Sequence, residues 1–204
     1  MIRSSLIRLT AVGVAASALA GCALLSSPEP VQSYRFGGPA PAVSESIGSN
    51  ATSISLRRVE FPEAVEGDRL LGVTGTETAY IKGARWVSPA ADLYLESLEN
   101  AFAGQATQVR LVGAREPVRS GRSLDIDMRA FEARYAAPDT PPTVVITARV
   151  RVTTSPERTV SAERMFSVEQ PATENRVSAI VEAFDLATRD LNTQIVAWTE
   201  ANAR

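Results

Sequence analysis

The sequence predicts an α+β fold with two layers, in which a mostly antiparallel sheet is covered by one mid-chain helix and one long C-terminal helix. Three observations lead to this prediction. Apolar and polar residues alternate along residues 122–136 and 143–152, as they do in strands that bury one face. Apolar residues recur every three or four positions in residues 89–103 and 173–203, as they do in amphipathic helices. Strands, a helix, more strands and a long helix follow in turn, which is the order of an α+β domain.

The first half of the chain predicts short strands joined by turns. Tyr34-Arg35-Phe36 is the first candidate, and alternation over residues 52–59 indicates the second. Residues 70–73 and 79–81 flank a turn rich in threonine and glycine, so each of them predicts a short strand.

A helix is predicted over residues 89–103. Ser88 is a suitable N-cap, Pro89 suits the first helical position, and Gly104 suits the exit. The residues of its apolar stripe are Ala91, Leu95, Leu98 and Phe102.

Residues 122–136 predict the longest strand. Its apolar phase moves from Leu124, Ile126 and Met128 to Phe131 and later odd positions, and an extra residue in a strand produces such a change. The segment therefore predicts a β-bulge. Alternation continues through residues 143–152 and 160–168, which predicts an antiparallel meander with one polar face.

Residues 173–203 predict a helix that no glycine or proline interrupts. At 1.5 Å per residue it would be about 45 Å long, enough to cover the apolar face of four or five strands.

Composition excludes many kinds of chemistry. The chain has no histidine and one cysteine, so it cannot form a Ser-His-Asp triad, a Cys₂His₂ zinc site or an internal disulfide. It has no P-loop, and Gly72, Gly75 and Gly113 are interpreted as turn glycines. Twenty of its 21 basic residues are scattered arginines and the net charge is −2, so no nucleic acid partner is expected. We expect no enzymatic activity, cofactor or metal.

Two sets of residues invite a chemical interpretation. Asp125 and Asp127 lie on one strand face and would suit acid–base or metal chemistry, but a solvated polar face is the favoured interpretation. Trp86 and Trp198 would suit ligand binding, but their patterned positions favour the core or its rim.

The N-terminus predicts an export signal that ends in a lipid anchor. Two arginines precede a short apolar stretch that is too short to span a bilayer, so residues 1–21 are interpreted as a signal peptide. Leu19-Ala20-Gly21-Cys22 resembles the lipobox of bacterial lipoproteins, and Cys22 is the only cysteine. The alternative is an ordinary secretory signal with a coincidental cysteine. Ala23 follows in place of the aspartate that retains lipoproteins at the inner membrane, which indicates the outer membrane.

The mature chain is predicted to hold one domain. Residues 22–32 form the lipidated cysteine and a flexible tether that is rich in serine and proline, and residues 33–204 form a single α+β domain. A second loop rich in proline, glycine and serine covers residues 37–51. Removal of the signal changes the net charge from −2 to −4, because residues 1–21 contain two arginines and no acid.

Short motifs at set spacings resemble those of the ABC-type transport auxiliary lipoproteins, the PqiC-like family that accompanies MCE-domain lipid transport systems. The matching residues are Tyr34-x-Phe36, Val59-x-Phe61-Pro62, Asp68-Arg69, Trp86-x-x-Pro89, the strand from Leu124-x-Ile126 to Phe131, and a long final helix ending near Ala197-Trp198. The resemblance covers residues 33–200 and supplies no catalytic residue. The motif residues Tyr34, Phe36, Phe61, Pro62, Asp68, Arg69, Trp86 and Pro89 are candidates for partner contact.

The resemblance implies a function and partners. The chain would be a lipid-anchored periplasmic accessory subunit that docks or braces an MCE-type system moving lipids or other hydrophobic molecules across the cell envelope. Its partners would be an MCE-domain protein and an ABC permease and ATPase, and since MCE proteins commonly form rings, a homo-oligomer is expected. The alternatives are an outer-membrane assembly or structural lipoprotein unrelated to ABC transport and, disfavoured by the missing histidine, an anchored hydrolase.

Overall fold

The computed structural model describes residues 31–38, 51–113, 116, 120–154 and 159–203. The chain divides into two units, Met1–Val31 and Gln32–Arg204, and all the described strands and helices lie in the second. The predicted signal peptide, Cys22 and most of the tether lie outside the described residues, as do residues 39–50 of the predicted loop. Within the described residues, no helix has the length and apolar character needed to cross a membrane.

Nine strands and three helices make up the described part of the chain. The strands are β1 (Gln32–Tyr34), β2 (Thr52–Glu60), β3 (Leu71–Thr74), β4 (Glu77–Tyr80), β5 (Ala84–Trp86), β6 (Val109–Val112), β7 (Arg122–Tyr135), β8 (Thr143–Thr154) and β9 (Thr159–Pro171). The helices are α1 (Glu63–Glu66), α2 (Ala90–Gln105) and α3 (Val177–Asn202).

Strand β7 organises the main sheet of seven strands. One of its edges pairs with β8, which pairs in turn with β9, and both ladders are antiparallel as predicted. Its other edge is shared, because β2 pairs with residues Ser123–Asp127 and β3 pairs with residues Ala133–Tyr135. Strand β6 continues the sheet beyond β2, and β4 continues it beyond β3.

The α+β class, both predicted helices and the mostly antiparallel sheet are confirmed, although the sheet is mixed rather than wholly antiparallel. Strands β2 and β3 run parallel to β7, and β6 runs parallel to β2. Alternation of apolar residues is the same in both kinds of ladder, so it does not reveal strand direction. A separate parallel pair joins β1 to β5, a three-residue strand that the sequence did not predict.

Helices α2 and α3 cover one face of the main sheet, with α3 against β8 and β9 and α2 beside it. The inward face of β8 is completely buried along its length, and its residues are Val144, Ile146, Ala148, Val150 and Val152. Helix α3 contributes Phe184, Leu191 and Ile195 to the same core. The helices therefore supply the apolar layer that the alternation requires.

The predicted bulge in β7 is confirmed. Met128 pairs with Ala148 and Ala130 pairs with Thr147, so Arg129 is the extra residue. A second bulge in β2 leaves Arg57 without an opposite residue on β7. Both bulges change which side chains face outward at the centre of the sheet.

Three local predictions are wrong. The N-cap of α2 is Pro89 rather than Ser88, and no side chain caps this end; the Ala90 N–H donates to Gly67 O at 2.8 Å instead. Gly104 lies inside α2, which continues to Gln105. Gly72 lies within β3 rather than in a turn, where the ring of Tyr135 leaves little room for a side chain. Gly75, with φ +59°, does occupy the turn.

Candidate partner-contact site

The segment that leads into the domain is held at both ends of β1. The Gln32 N–H donates to Gly83 O at 2.8 Å, and the Val87 N–H donates to Tyr34 O at 2.7 Å. Between them β1 lies parallel to β5, with Tyr34 opposite Trp86. The motifs around Tyr34 and Trp86 therefore form one local structure although about fifty residues separate them.

Beyond β1, Phe36 enters a cluster of six aromatic rings that we call the aromatic hub. The Phe36 ring lies 4.9 Å from that of Trp86 and 5.2 Å from that of Phe131. The other members of the hub are Phe61, Tyr94 and Phe184. Edge-to-face pairs of this kind each contribute about 0.5–1.5 kcal/mol beyond burial. Phe36 and Trp86 are only 2% exposed, so they build the core and their side chains are not available to a partner.

Gly37 fixes the backbone immediately after Phe36. Its φ is +95°, and a Cβ there would lie 2.7 Å from Ser97 Cβ on α2. Its N–H donates to Asp185 Oδ1 on α3 at 2.8 Å. The entering segment is thus attached to both covering helices.

Asp68 and Arg69 connect the hub to the surface. Asp68 O accepts from the Trp86 N–H at 2.6 Å, and Asp68 Oδ2 accepts from Arg85 at 3.2 Å. The guanidinium of Arg69 stacks on the Tyr80 ring, 3.6 Å from its centre. The Tyr80 hydroxyl donates to Ala64 O at 3.1 Å, which joins β4 to α1.

A surface cleft of about 540 Å³, which we call the split cleft, lies where β2 leaves β7. Its walls come from Phe61-Pro62, from Glu66 of α1 and from the bulge of β7. The lining residues are Val59, Glu60, Phe61, Pro62, Glu66, Ala91, Asp127, Met128 and Arg129. The cleft combines apolar side chains with the carboxylates of Glu60, Glu66 and Asp127 and the guanidinium of Arg129.

The outward face of the sheet carries a ladder of charges, and one prediction about it is wrong. Asp125 is 1% exposed rather than solvated, and the bulged Arg57 donates to its Oδ2 at 2.6 Å. Asp125 raises the pKa of Arg57 through this hydrogen bond and its charge. Arg151 stands opposite Asp125 on β8. Asp127 keeps partial exposure and pairs with Arg129 at 2.5 Å.

The Asp125 and Asp127 carboxylates are both neutralised by guanidinium groups, and Tyr94 is fully buried, which raises the pKa of its hydroxyl and keeps it protonated. Within the described part of the chain, no three His, Cys, Asp or Glu side chains gather in an arrangement suited to a metal ion.

The structure brings together most of the residues proposed for partner contact. Phe36, Phe61 and Trp86 meet in the hub, and Pro62 and Asp68-Arg69 lie on the adjoining surface around α1. Pro89 is exposed at the start of α2.

Sequence reasoning missed Tyr94 and Phe184 as hub members and Ser97 as the neighbour of Gly37. The apolar stripe predicted for residues 89–103 did not include Tyr94, and the spacing in residues 173–203 marked Phe184 only as one apolar position among several. Trp198, expected in the core or at its rim, is half-buried and packs 5.9 Å from Phe166.

Comparison with known proteins gives a consistent result. The sequence model of the ABC-type transport auxiliary lipoprotein component matches residues 34–196. A solved protein from Xanthomonas campestris of the DUF330 family has 25% identity and a TM-score of 0.64, covering 85% of this chain and 95% of its own.

Two further solved structures share the fold. An uncharacterized protein has 16% identity and a TM-score of 0.64, covering 83% of this chain and 99% of its own. A hypothetical protein from Chlamydia trachomatis has 10% identity and a TM-score of 0.50, covering 74% and 97%. No protein of curated function gives a significant match. Because the family match spans the hub, the split cleft and both covering helices, this chain belongs to the ABC-type transport auxiliary lipoprotein family.

Proposed function

We propose that this chain is the lipid-anchored, non-catalytic accessory subunit of an MCE-type ABC transport system that moves lipids or other hydrophobic molecules across the cell envelope. It docks or braces the outer-membrane end of that system, and an MCE-domain protein, a permease and an ATPase are its partners. The family match supports the transport role, and the chain itself has no P-loop to supply energy.

The observation that carries the bracing role is the attachment of the entering segment. A subunit that braces a complex needs a firm connection between its membrane anchor and its folded domain. Here β1, Phe36 and Gly37 attach the entering segment to β5, the hub and both covering helices. The stretch from Cys22 to Val31 then spans at most about 35 Å when extended. The domain would therefore stay close to the membrane that holds Cys22.

The split cleft is the surface we propose for partner contact. It is the point where motif residues Phe61-Pro62 reach the surface, and its rim carries the acidic Glu60 and Glu66. Charge reversal of Glu66 tests this assignment because Glu66 is exposed on α1, outside the core. Glu182, exposed on α3, is the matched control.

The test is purification of the tagged full-length lipoprotein from detergent-solubilised membranes. The native chain and Glu182→Lys are expected to retain an MCE-domain protein and ABC components, whereas Glu66→Lys loses most of them. Retention of only β-barrel or other assembly proteins by the native chain would support an unrelated envelope lipoprotein instead. Equal retention by Glu66→Lys and Glu182→Lys would remove the split cleft as the contact surface.

The anchor has its own test. Cys22→Ser is expected to move the protein from the membrane fraction to the soluble periplasmic fraction, because acyl chains on Cys22 provide the attachment. A Cys22→Ser protein that resists a carbonate wash would contradict lipidation at Cys22. Density-gradient separation of the native protein should place it in the outer membrane, as Ala23 indicates; recovery in the inner-membrane fraction would contradict that assignment.

A homo-oligomer is part of the proposal, since several copies of this chain would be needed to contact the repeated subunits of an MCE ring. Native mass spectrometry of the lipidated protein released from detergent micelles should show a discrete oligomer. A monomer at every concentration would contradict the proposed oligomer, but it would not contradict the proposed transport role.

A further inference from the structure

A second cleft, of about 280 Å³, lies between α2 and α3, away from the split cleft. We call it the helix cleft. It is lined by glycine and by uncharged polar side chains, chiefly Gly37, Gly38, Ser97, Asn100, Gln105 and Asn192. Arg189 reaches its edge, but the guanidinium is paired with Asp185 on the same helix.

The helix cleft holds a buried polar atom that has no partner. Asn192 is 1% exposed, and its Nδ2 donates to Ser97 Oγ at 2.9 Å. Its Oδ1 accepts no hydrogen bond within the described structure. A buried acceptor without a donor is unfavourable, so the Asn192 amide is incompletely paired among the described residues. Rotating the amide by 180° would leave Nδ2 unpaired in place of Oδ1.

The residues that line the helix cleft indicate which kind of ligand would supply the hydrogen-bond donor that Asn192 Oδ1 lacks. No aromatic ring lines the helix cleft within the described residues, so a base or a sugar has no flat face on which to stack. The pairing of Arg189 with Asp185 leaves no net charge for an anion. Side-chain amides at Asn100, Gln105 and Asn192 carry N–H donors and C=O acceptors, which are the complements of a peptide unit. At Gly38 a Cβ would meet nothing within 4 Å, so another backbone can approach closely there.

We infer that the helix cleft binds an extended, uncharged segment of a partner polypeptide that carries small side chains, with the Asn192 amide bonding to one of its peptide units. The inference does not depend on the transport role, because any polypeptide with this character would satisfy the same groups. Its failure would leave the proposed contact at the split cleft untouched.

The test is a titration followed by NMR. The full-length lipoprotein, labelled with ¹⁵N and held in detergent micelles, receives a blocked pentapeptide of alternating glycine and alanine. Saturable shifts are expected at the Asn192 side-chain amide and at the Gly37 N–H. Parallel titrations with methyl glucoside and with glycerol phosphate should leave both signals in place.

Two substitutions on α2 make the test specific. Ala101→Leu places bulk at a half-buried residue that lines the helix cleft and should weaken peptide binding by about fivefold or more, equivalent to about 1 kcal/mol. Ala103→Leu, two residues away and exposed, lines a different groove and should leave the affinity within about twofold. Asn192→Leu removes the amide whose Oδ1 has no partner among the described residues and should abolish the peptide-induced shift at Gly37.

Three outcomes would overturn the inference. They are an absence of saturable shifts with the peptide, equal affinity for Ala101→Leu and Ala103→Leu, and saturation of the same signals by the sugar or the phosphate. If Asn192→Leu does not fold, the comparison of the two alanine variants still decides the matter.

Discussion

Removing the Phe36 ring is the sharpest test of how the entering segment, which contains β1, Phe36 and Gly37, is attached to the rest of the domain. Phe36 is 2% exposed and touches Trp86 and Phe131. Substitution of a buried phenylalanine by alanine costs about 3–5 kcal/mol. For a unit of this size each kcal/mol lowers the thermal midpoint by about 2–4 °C, so Phe36→Ala should lower it by roughly 6–20 °C.

The location of the damage is as informative as its size. Without the ring, β1 should open before the rest of the domain, so the Gln32 and Val87 N–H groups should lose protection from hydrogen exchange. Phe61→Ala is the control, because it removes another ring of the hub without freeing the entering segment. A loss below about 1 kcal/mol for Phe36→Ala would refute the packing argument. Unchanged protection at Gln32 and Val87 would refute the attachment.

The same attachment has a backbone test at the next residue. Gly37→Ala should destabilise the domain by about 1–3 kcal/mol, because φ is +95° and the new Cβ would collide with Ser97. Gly38→Ala also carries a positive φ but meets nothing within 4 Å, so it should cost less. Denaturant unfolding of both variants gives the comparison, and equal costs would contradict the contact with Ser97.

Two further predictions concern the charge ladder on the outward face. Arg57→Met should destabilise the protein by about 1–3 kcal/mol in urea unfolding, because it leaves the buried Asp125 carboxylate without its hydrogen-bond partner. Arg58→Met breaks only an exposed pair and should change stability by less than about 0.5 kcal/mol, so equal effects would contradict the burial argument. The hydrogen bond from Arg149 lowers the pKa of Glu163 below 4.5, so its contribution to stability is present above that pH and is lost as the pH falls through the lowered pKa. The stability difference between native protein and Glu163→Gln should therefore be constant above pH 4.5 and shrink below it; a difference that grows on acidification would contradict this sign.

Much of the fold can be predicted from the periodicity of apolar residues, but the exposure of individual side chains cannot. The phase change in residues 122–136 correctly indicated the bulge at Arg129, because a shift of one residue reverses the faces of a strand. The same alternation placed Asp125 on the outward face but gave no sign that it is buried. Its hydrogen-bond partner is Arg57, whose own bulge in β2 depends on pairing with a distant strand.

Strand direction and short strands required contacts that are distant in sequence. Residues 84–86 form a strand only because β1 lies beside them, and three residues carry too little alternation to predict it. The parallel pairing of β2 and β3 to one edge of β7 depends on how the chain crosses the sheet. Spaced motifs did indicate the family, and the structure brings three of their residues, Phe36, Phe61 and Trp86, together in one hub.

The central claim is that the surface around the split cleft contacts a subunit of an MCE-type ABC transport system. The most direct measurement is site-specific photo-crosslinking in cells, with the photoreactive residue at Glu63 on the exposed side of α1 and, as control, at Glu182 on α3. Mass spectrometry of the Glu63 adduct should identify an MCE-domain protein or its permease, and Glu182 should give no such adduct. Adducts at Glu63 that contain only proteins outside ABC transport, or the same adducts at both positions, would contradict the claim.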